Sequence, residues 1–313
     1  MSGLNIHLFG KFSIESNQQV LETFNTCKVQ ELFSYLLLYR NRPHSRETLA
    51  GLLWGNSTTE KSKKYLRQAI WHLQTAVDTQ KEWRASGLSL RVEHDWVQID
   101  TKQTVWLDVA ILEEAFVLIE DVACRDLNSE RAASLQVAIE IYRGDLLEGW
   151  YQDWCLYERE LLQNKYLIIL DKLLGYCLSH EEYEAGQRYG ALILRYDRAR
   201  ERTHQLLMRL HFLAGDRTGA LRQYERCVSA LREELGVQPD KSTLALYEEI
   251  RGNQLNNTNA PMEEMLTIDI DTATSLPEVL CRFKQLQAML ARVQQHVRQD
   301  IKAIELGLKP SKH

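Results

Sequence analysis

Two stretches 35 residues apart restrict the fold of this chain more than any other feature. Tyr183-x-Ala185-x-x-x-Tyr189 and Thr218-x-Ala220-x-x-x-Tyr224 agree in their Ala and Tyr positions. That offset is close to the roughly 34 residues of a tetratricopeptide repeat, and it predicts stacked helix pairs. Trp154–Ser179 and Glu201–Ala214 read as the first helix of each pair, Glu182–Arg195 and Arg217–Leu235 as the second. Further helices read at Leu107–Ile119, Arg131–Tyr142 and Lys241–Arg251. Small Ala185 and Ala220 let helices approach closely, and Tyr189 and Tyr224 fill the space between pairs. Taken singly, each is a core residue. Taken together, stacked pairs leave a groove suited to a protein segment, whose position the sequence does not locate.

The residues ahead of the repeats read differently. Leu4 to Phe9 alternates, Gly10-Lys11 turns, and Phe12 to Glu15 returns, a small β-hairpin. In Lys28–Tyr39 the residues Val29, Leu32, Phe33, Leu36 and Leu37 follow the spacing of a core-facing helix. Ser45 can cap a second helix, Arg46–Trp54, with Leu49, Leu52, Leu53 and Trp54 apolar and Gly55 at its end. Ser57 with Glu60 forms a possible capping box opening a third, basic helix, Lys61–Val77. At about 100° per residue, Leu66, Ala69, Ile70, Leu73 and Val77 share one narrow sector. Lys61, Lys64, Gln68, Trp71, His72 and Thr75 point the other way. Alone, that pattern fits a solvated amphipathic helix at least as well as one that enters a nucleic-acid groove. An outward Trp71 favours a partner.

Context favours the groove. Leu88–Val92 and Trp96–Ile99 alternate around Glu93-His94-Asp95, a second hairpin placed where a wing belongs. Strands, three helices and a terminal hairpin are the order of a winged helix-turn-helix with an added N-terminal sheet. There the third helix enters the major groove and the wing meets the backbone or minor groove. Lys64, Gln68, Trp71 and His72 then face bases, and Lys61, Arg67, Arg84 and Arg91 face phosphates.

Charge supports this division weakly. Met1–Val105 carries 13 Lys and Arg against 10 Asp and Glu, and the remainder 25 against 33, for a formal net charge of −5. A mildly basic head precedes an acidic body. The N-terminus lacks the basic and apolar regions of a secretion signal, and no run of about 18 apolar residues predicts a membrane span. The six cysteines stand singly, without Cys-x-x-Cys or paired-His spacing, so neither zinc nor another metal is expected. They read as reduced thiols in a cytoplasm, mainly filling helix cores. No nucleophile, metal or phosphate-loop constellation appears, so no catalysis and no cofactor are expected.

The run Glu47-Thr-Leu-Ala-Gly-Leu-Leu-Trp54 through Val77 resembles the DNA-binding domain of the Streptomyces antibiotic regulatory protein family, in Leu49, Leu52, Leu53, Trp54, Leu66, Arg67, Ala69 and Leu73. Leu8-Phe9-Gly10-Lys11-Phe12-Ser13-Ile14-Glu15 resembles that family's first hairpin. The family's usual Leu-Arg-x-x-[Leu/Ile]-x-Arg-Leu-Arg is altered here. His72 and Gln74 stand where two arginines are usual, which removes counterion-release contributions to affinity.

The body resembles the bacterial transcriptional activator domain that follows the winged helix in the same family. The matches are Ile141 to Leu147, Trp154 with Glu158-Arg159, and His204 to Met208. The strongest are Ala220-Leu221-x-x-Tyr224 and Leu231-x-x-Glu234-Leu235-Gly236-Val237-x-Pro239. Tyr196 to Glu201 departs from a common Asp-Pro. The resemblance implies an activator that binds tandem direct repeats in double-stranded DNA and contacts RNA polymerase. Longer relatives carry an ATPase, whose G-x-x-x-x-G-K-[ST] loop is missing here, so no nucleotide hydrolysis is expected.

The expected organisation is mainly α. A winged helix-turn-helix with small β-hairpins occupies 1–105, and an all-α tetratricopeptide-like domain 106–252. A polar linker follows at 253–275, then a helix at 276–308. In that helix Val279, Phe283, Leu286, Leu290, Val293 and Val297 repeat at spacings of 4 and 3. Two readings fit: a coiled-coil homodimer, or a helix docked on its own repeats. A second reading of the whole chain also stands. A protein-interaction adaptor would keep a degenerate winged helix and bind partners through the repeat groove.

Overall fold

The computed structural model describes residues 4–253, apart from 18, 22, 23, 25, 41, 102–104, 121 and 123–126. The helix expected at 276–308, with its coiled-coil reading, lies outside them.

The N-terminal sheet comprises β1 (Leu4–His7), β2 (Ser13–Ser16), β3 (Gln19–Val20) and β7 (Val105–Leu107), in the order β3-β2-β1-β7. The first pair is the expected hairpin, with Ile6 opposite Ile14. β7 adds parallel to β1, with Ile6 opposite Leu107. The sequence reading missed it because so short a strand has no period, and read 107 as helical instead.

Helices α1 (Cys27–Leu38), α2 (Arg46–Trp54) and α3 (Thr59–Thr79) follow. Every residue expected to face the core on α1 and α3 is buried. On α2 only Leu49, Ala50 and Leu53 are buried, and Leu52 is exposed. The expected capping box does not form: Thr58, not Ser57, is the N-cap of α3, and it makes no side-chain cap bond. Ser45 does precede α2, but its hydroxyl caps nothing. The wing tip takes over there, since the Arg46 N–H donates to the Asp95 carbonyl at 2.9 Å. Ser62, unremarked in the sequence, is buried and donates its hydroxyl to the Trp54 carbonyl at 2.9 Å, joining α3 to the end of α2.

A short helix, α4 (Lys81–Ser86), sinks Trp83 fully into the core against Phe24 and Phe33. The wing follows as β5 (Ser89–Val92) and β6 (Trp96–Asp100), and β6 also pairs with β4 (His44–Ser45). That three-stranded sheet, β4-β6-β5, closes the winged helix.

The body is α5 (Asp108–Val117), α6 (Ser129–Ile141), α7 (Asp153–Ser179), α8 (Tyr183–Tyr196), α9 (Glu201–Leu213), α10 (Arg217–Glu234) and α11 (Lys241–Arg251). α7 is central, and every residue from Ile169 to Leu178 is buried. A helix buried on all sides must satisfy its charges internally. Asp171 meets Arg202 at 2.9 Å and Arg200 at 3.6 Å, while Lys172 donates to the Val122 carbonyl. Arg200 sits in the stretch that departs from the usual Asp-Pro and Arg202 directly follows it, so here ion pairs tie the start of α9 to α7.

The α7/α8 and α9/α10 pairs carry the 35-residue repeat, but Ala185 is not the close contact. Gly186 and Gly190 are: a Cβ on Gly190 would lie 2.6 Å from Leu207 Cδ2, and one on Gly186 2.8 Å from Leu210 Cδ1. Ala220 is fully buried with Met208, Leu246 and Ile250, and Tyr224 stacks on Tyr247 of α11 at 4.1 Å. Gly236, at φ +70°, ends α10 while the Val237 N–H reaches back to the Leu231 carbonyl at 3.4 Å, a Schellman-type stop.

The winged helix and the body are stitched together. Phe9 bridges Leu146, and the Gly10 and Leu147 N–H groups donate to the Asp145 and Leu8 carbonyls, both at 2.8 Å. Asp108, 1% exposed at the start of α5, accepts the N–H groups of Leu8, Phe9 and Val109 at 2.7–2.8 Å. Burial outweighs these bonds and pushes its carboxyl up to about 6. Arg159 fans its guanidinium onto the carbonyls of Leu146, Leu147 and Trp150 at 2.9–3.1 Å. On α1, Glu31 accepts from Trp154 Nε1 at 3.3 Å, and Arg40 pairs with Glu113 of α5 at 2.9 Å.

Candidate nucleic-acid interface

The candidate interface is the outer face of α3 with the wing beside it. The apolar stripe of α3 packs inward on α1 and α2, and leaves Lys61, Lys64, Gln68, Trp71 and His72 exposed on one side. Trp71 is 61% exposed, and its ring meets that of His72 edge-on at 4.9 Å. Thr75, one turn on, is half-buried and donates its hydroxyl to the Trp71 carbonyl at 2.8 Å. Across α3 as a whole, Lys61, Lys63, Lys64 and Arg67 outnumber Glu60 and Asp78.

Arg67 is exposed at the edge of that face. It lines a cleft of about 600 Å³ between α3, the start of α2 and the wing tip, with Arg46, Lys63, Glu47, His94 and Asp95. Lys63 pairs with Glu47 at 3.1 Å, a largely solvated contact. Arg46 Nη1 donates to the Glu93 and His94 carbonyls at 3.2 and 3.4 Å, which fixes the wing tip against α2. Sequence reasoning missed Arg46 and Lys63. Only the β4–β6 pairing brings the wing to them, and a two-residue strand carries no pattern to read.

The two arginines outside α3 are placed differently. Arg84 is exposed on α4, a separate element from the recognition face. Arg91 is exposed on β5, where its Nε donates to Asp100 of β6, and that carboxylate holds the guanidinium proton more firmly. The wing tip carries Glu93 and Asp95, and Trp96 beside it is 46% exposed. The wing therefore offers one paired cation, two carboxylates and an aromatic ring. Among the described residues no group of three or more His, Cys, Asp or Glu could hold a metal ion, and no helix is long and apolar enough to cross a membrane. Cys155, Cys177 and Cys227 are buried, as expected of thiols that mainly fill helix cores, and Cys27 is exposed.

Residues 107–251 match the family described as bacterial transcriptional activator domain. Over 88% of this chain and 72% of the other, the fold is similar to Mycobacterium tuberculosis EmbR, solved in complex with a low-affinity phosphopeptide, with a TM-score of 0.69 at 17% identity. The chain is thus similar in its body to a bacterial transcriptional activator domain, and in its fold as a whole to EmbR. By sequence, no curated protein matches it. Several residues that carry the resemblance hold head and body together: Asp145 to Leu147 and Arg159 in the body, and Leu8 to Gly10 in the head. Leu49, Leu53, Leu66, Ala69 and Leu73 are core, whereas the altered positions His72 and Gln74 are exposed.

Proposed function

We propose that this chain is a transcriptional regulator that binds double-stranded promoter DNA by placing α3 in the major groove. The observation that carries the reading is the uncovered side of α3, where Lys61, Lys64, Gln68, Trp71 and His72 stand together in solvent with Arg67 at their edge. Cations there neutralise phosphates and release counterions. Gln68 offers the amide geometry that pairs with adenine, and Trp71 an apolar surface for a thymine methyl. Arg84 supplies a flanking phosphate contact. Arg91 contributes less, because Asp100 already engages it. Bound DNA positions the helical repeats to contact RNA polymerase or another partner, making the protein an activator at work in the cytoplasm. A gel shift with fragmented genomic DNA at physiological salt tests this. Retarded fragments at submicromolar protein are expected.

The adaptor reading has its own observation: a wing tip carrying Glu93 and Asp95, next to a helix whose most exposed large apolar side chain is Trp71. In that reading the α3 face binds protein. No retarded fragment at micromolar protein would select it.

A further inference from the structure

A cleft of about 910 Å³ opens between α8, α9 and α10, on the side of the helical repeats. Four exposed arginines line it, Arg195, Arg198, Arg222 and Arg226, against the single carboxylate Glu225. Among the described residues only Arg198 of the four lies within ion-pair reach of a carboxylate, at 3.2 Å from Glu233 and 3.6 Å from Glu234. Below them the lining is apolar, with Leu207 buried and Leu194 half-buried.

Two of the four arginines, Arg198 through its backbone and Arg226 through its guanidinium, are tied to a buried polar chain. Gln223 Nε2 donates to His204 Nδ1 at 2.8 Å, and the His204 Nε2–H donates to the Arg198 carbonyl at 2.9 Å. Arg226 Nη1 donates to Gln223 Oε1 at 3.3 Å. This pattern needs a neutral imidazole with its proton on Nε2, and burial lowers the His204 pKa in that direction. Fixing the Arg198 backbone and the Arg226 guanidinium beforehand reduces the ordering cost of binding.

We propose that this cleft binds a short partner segment that mixes carboxylates with bulky apolar side chains. The carboxylates meet the arginines as charge-assisted, partly bidentate pairs, and an apolar side chain fills the space over Leu207 and Leu194. A nucleic-acid backbone has charge for the arginines but no apolar side chain for the leucines, so a peptide is the better match. The inference deepens the reading of the repeats as a partner surface and rests on it.

The test is fluorescence anisotropy of a labelled ten-residue peptide of alternating glutamate and leucine, titrated with the full chain. Saturable binding is expected, weakened at least tenfold by Arg195→Glu with Arg222→Glu. Both are exposed side chains, so the variant should melt like the unaltered chain and bind duplex DNA equally. A peptide with serine in place of leucine should bind at least fivefold more weakly. Absence of saturable binding overturns the proposal, as does equal binding by the double variant. Equal or tighter binding of a single-stranded oligonucleotide of the same charge also overturns it, by selecting a general anion surface. A dimer of the full chain that the double variant abolishes would make a second copy the occupant, and would overturn it too. Because duplex binding is read separately, failure of the DNA reading leaves the peptide result standing.

Discussion

The joint between head and body and the outer face of α3 both carry residues that resemble one family, yet they are physically opposite. At the joint, Asp108, Arg159 and the backbones of 8–10 and 145–148 complete one another's hydrogen bonds within the chain. On α3, Lys61, Lys64, Gln68, Trp71 and His72 are turned to solvent. The difference separates what the fold needs from what it offers. The departures at His72 and Gln74 fall on exposed positions, where a changed side chain costs the fold little. A chain of this build can therefore alter what the outer face of α3 touches without disturbing the joint that carries the helix.

The largest effect should come from Asp108→Ala. It leaves three N–H groups without their acceptor, and about 1–3 kcal/mol for each unsatisfied buried group gives a loss on the order of 4 kcal/mol. Urea unfolding followed by circular dichroism measures it. The same variant carries a pH signature. With the folded carboxyl at about 6 against an ordinary 3.8, the folded state binds the extra proton between those values. Stability from this group is fully present below pH 3.8 and is lost as pH rises through about 6. The gap between the unaltered chain and Asp108→Ala should narrow over that window. A constant gap would place the carboxyl's titration elsewhere.

Arg159→Ala comes next. It removes the guanidinium from the Leu146, Leu147 and Trp150 carbonyls, of which Leu147 keeps the Trp150 N–H, and should cost about 2–3 kcal/mol. Hydrogen exchange should then rise in 8–10 and 145–148 before it rises in α9 and α10. Uniform exchange would deny the joint its separate role. Trp71→Ala should shift stability by no more than about 0.5 kcal/mol. A larger loss would mean that the exposed ring is structural. Arg91→Ala should be the mildest for duplex affinity, below about threefold, because a cation already paired with Asp100 has less to give a phosphate. A tenfold loss would restore the wing as a main contact.

Helices and their buried faces were legible because long apolar periods survive every detail of packing. The stripe on α3 and the α9/α10 repeat are cases of this. What escaped reading had no period. β3, β4 and β7 span two or three residues, and pairing across the chain alone creates them. α4 is a single anchored turn around Trp83. Gly186 and Gly190, which bring α8 close to α9, are not legible in the repeat, because shared residue types define it and these glycines have no counterpart in its second copy. The residues on the α3 face are legible from their helical spacing. Arg46 and Lys63, which the fold brings to the wing, are not.

The central claim is that the exposed side of α3 meets phosphates of a DNA duplex. The salt dependence of duplex binding, measured by anisotropy for the full chain and for Lys64→Ala with Arg67→Ala, tests it most directly. The double variant should bind roughly tenfold or more weakly, with its log–log salt slope shallower by about 2 and its thermal unfolding unchanged. Equal affinity and equal slope for both proteins would contradict the claim.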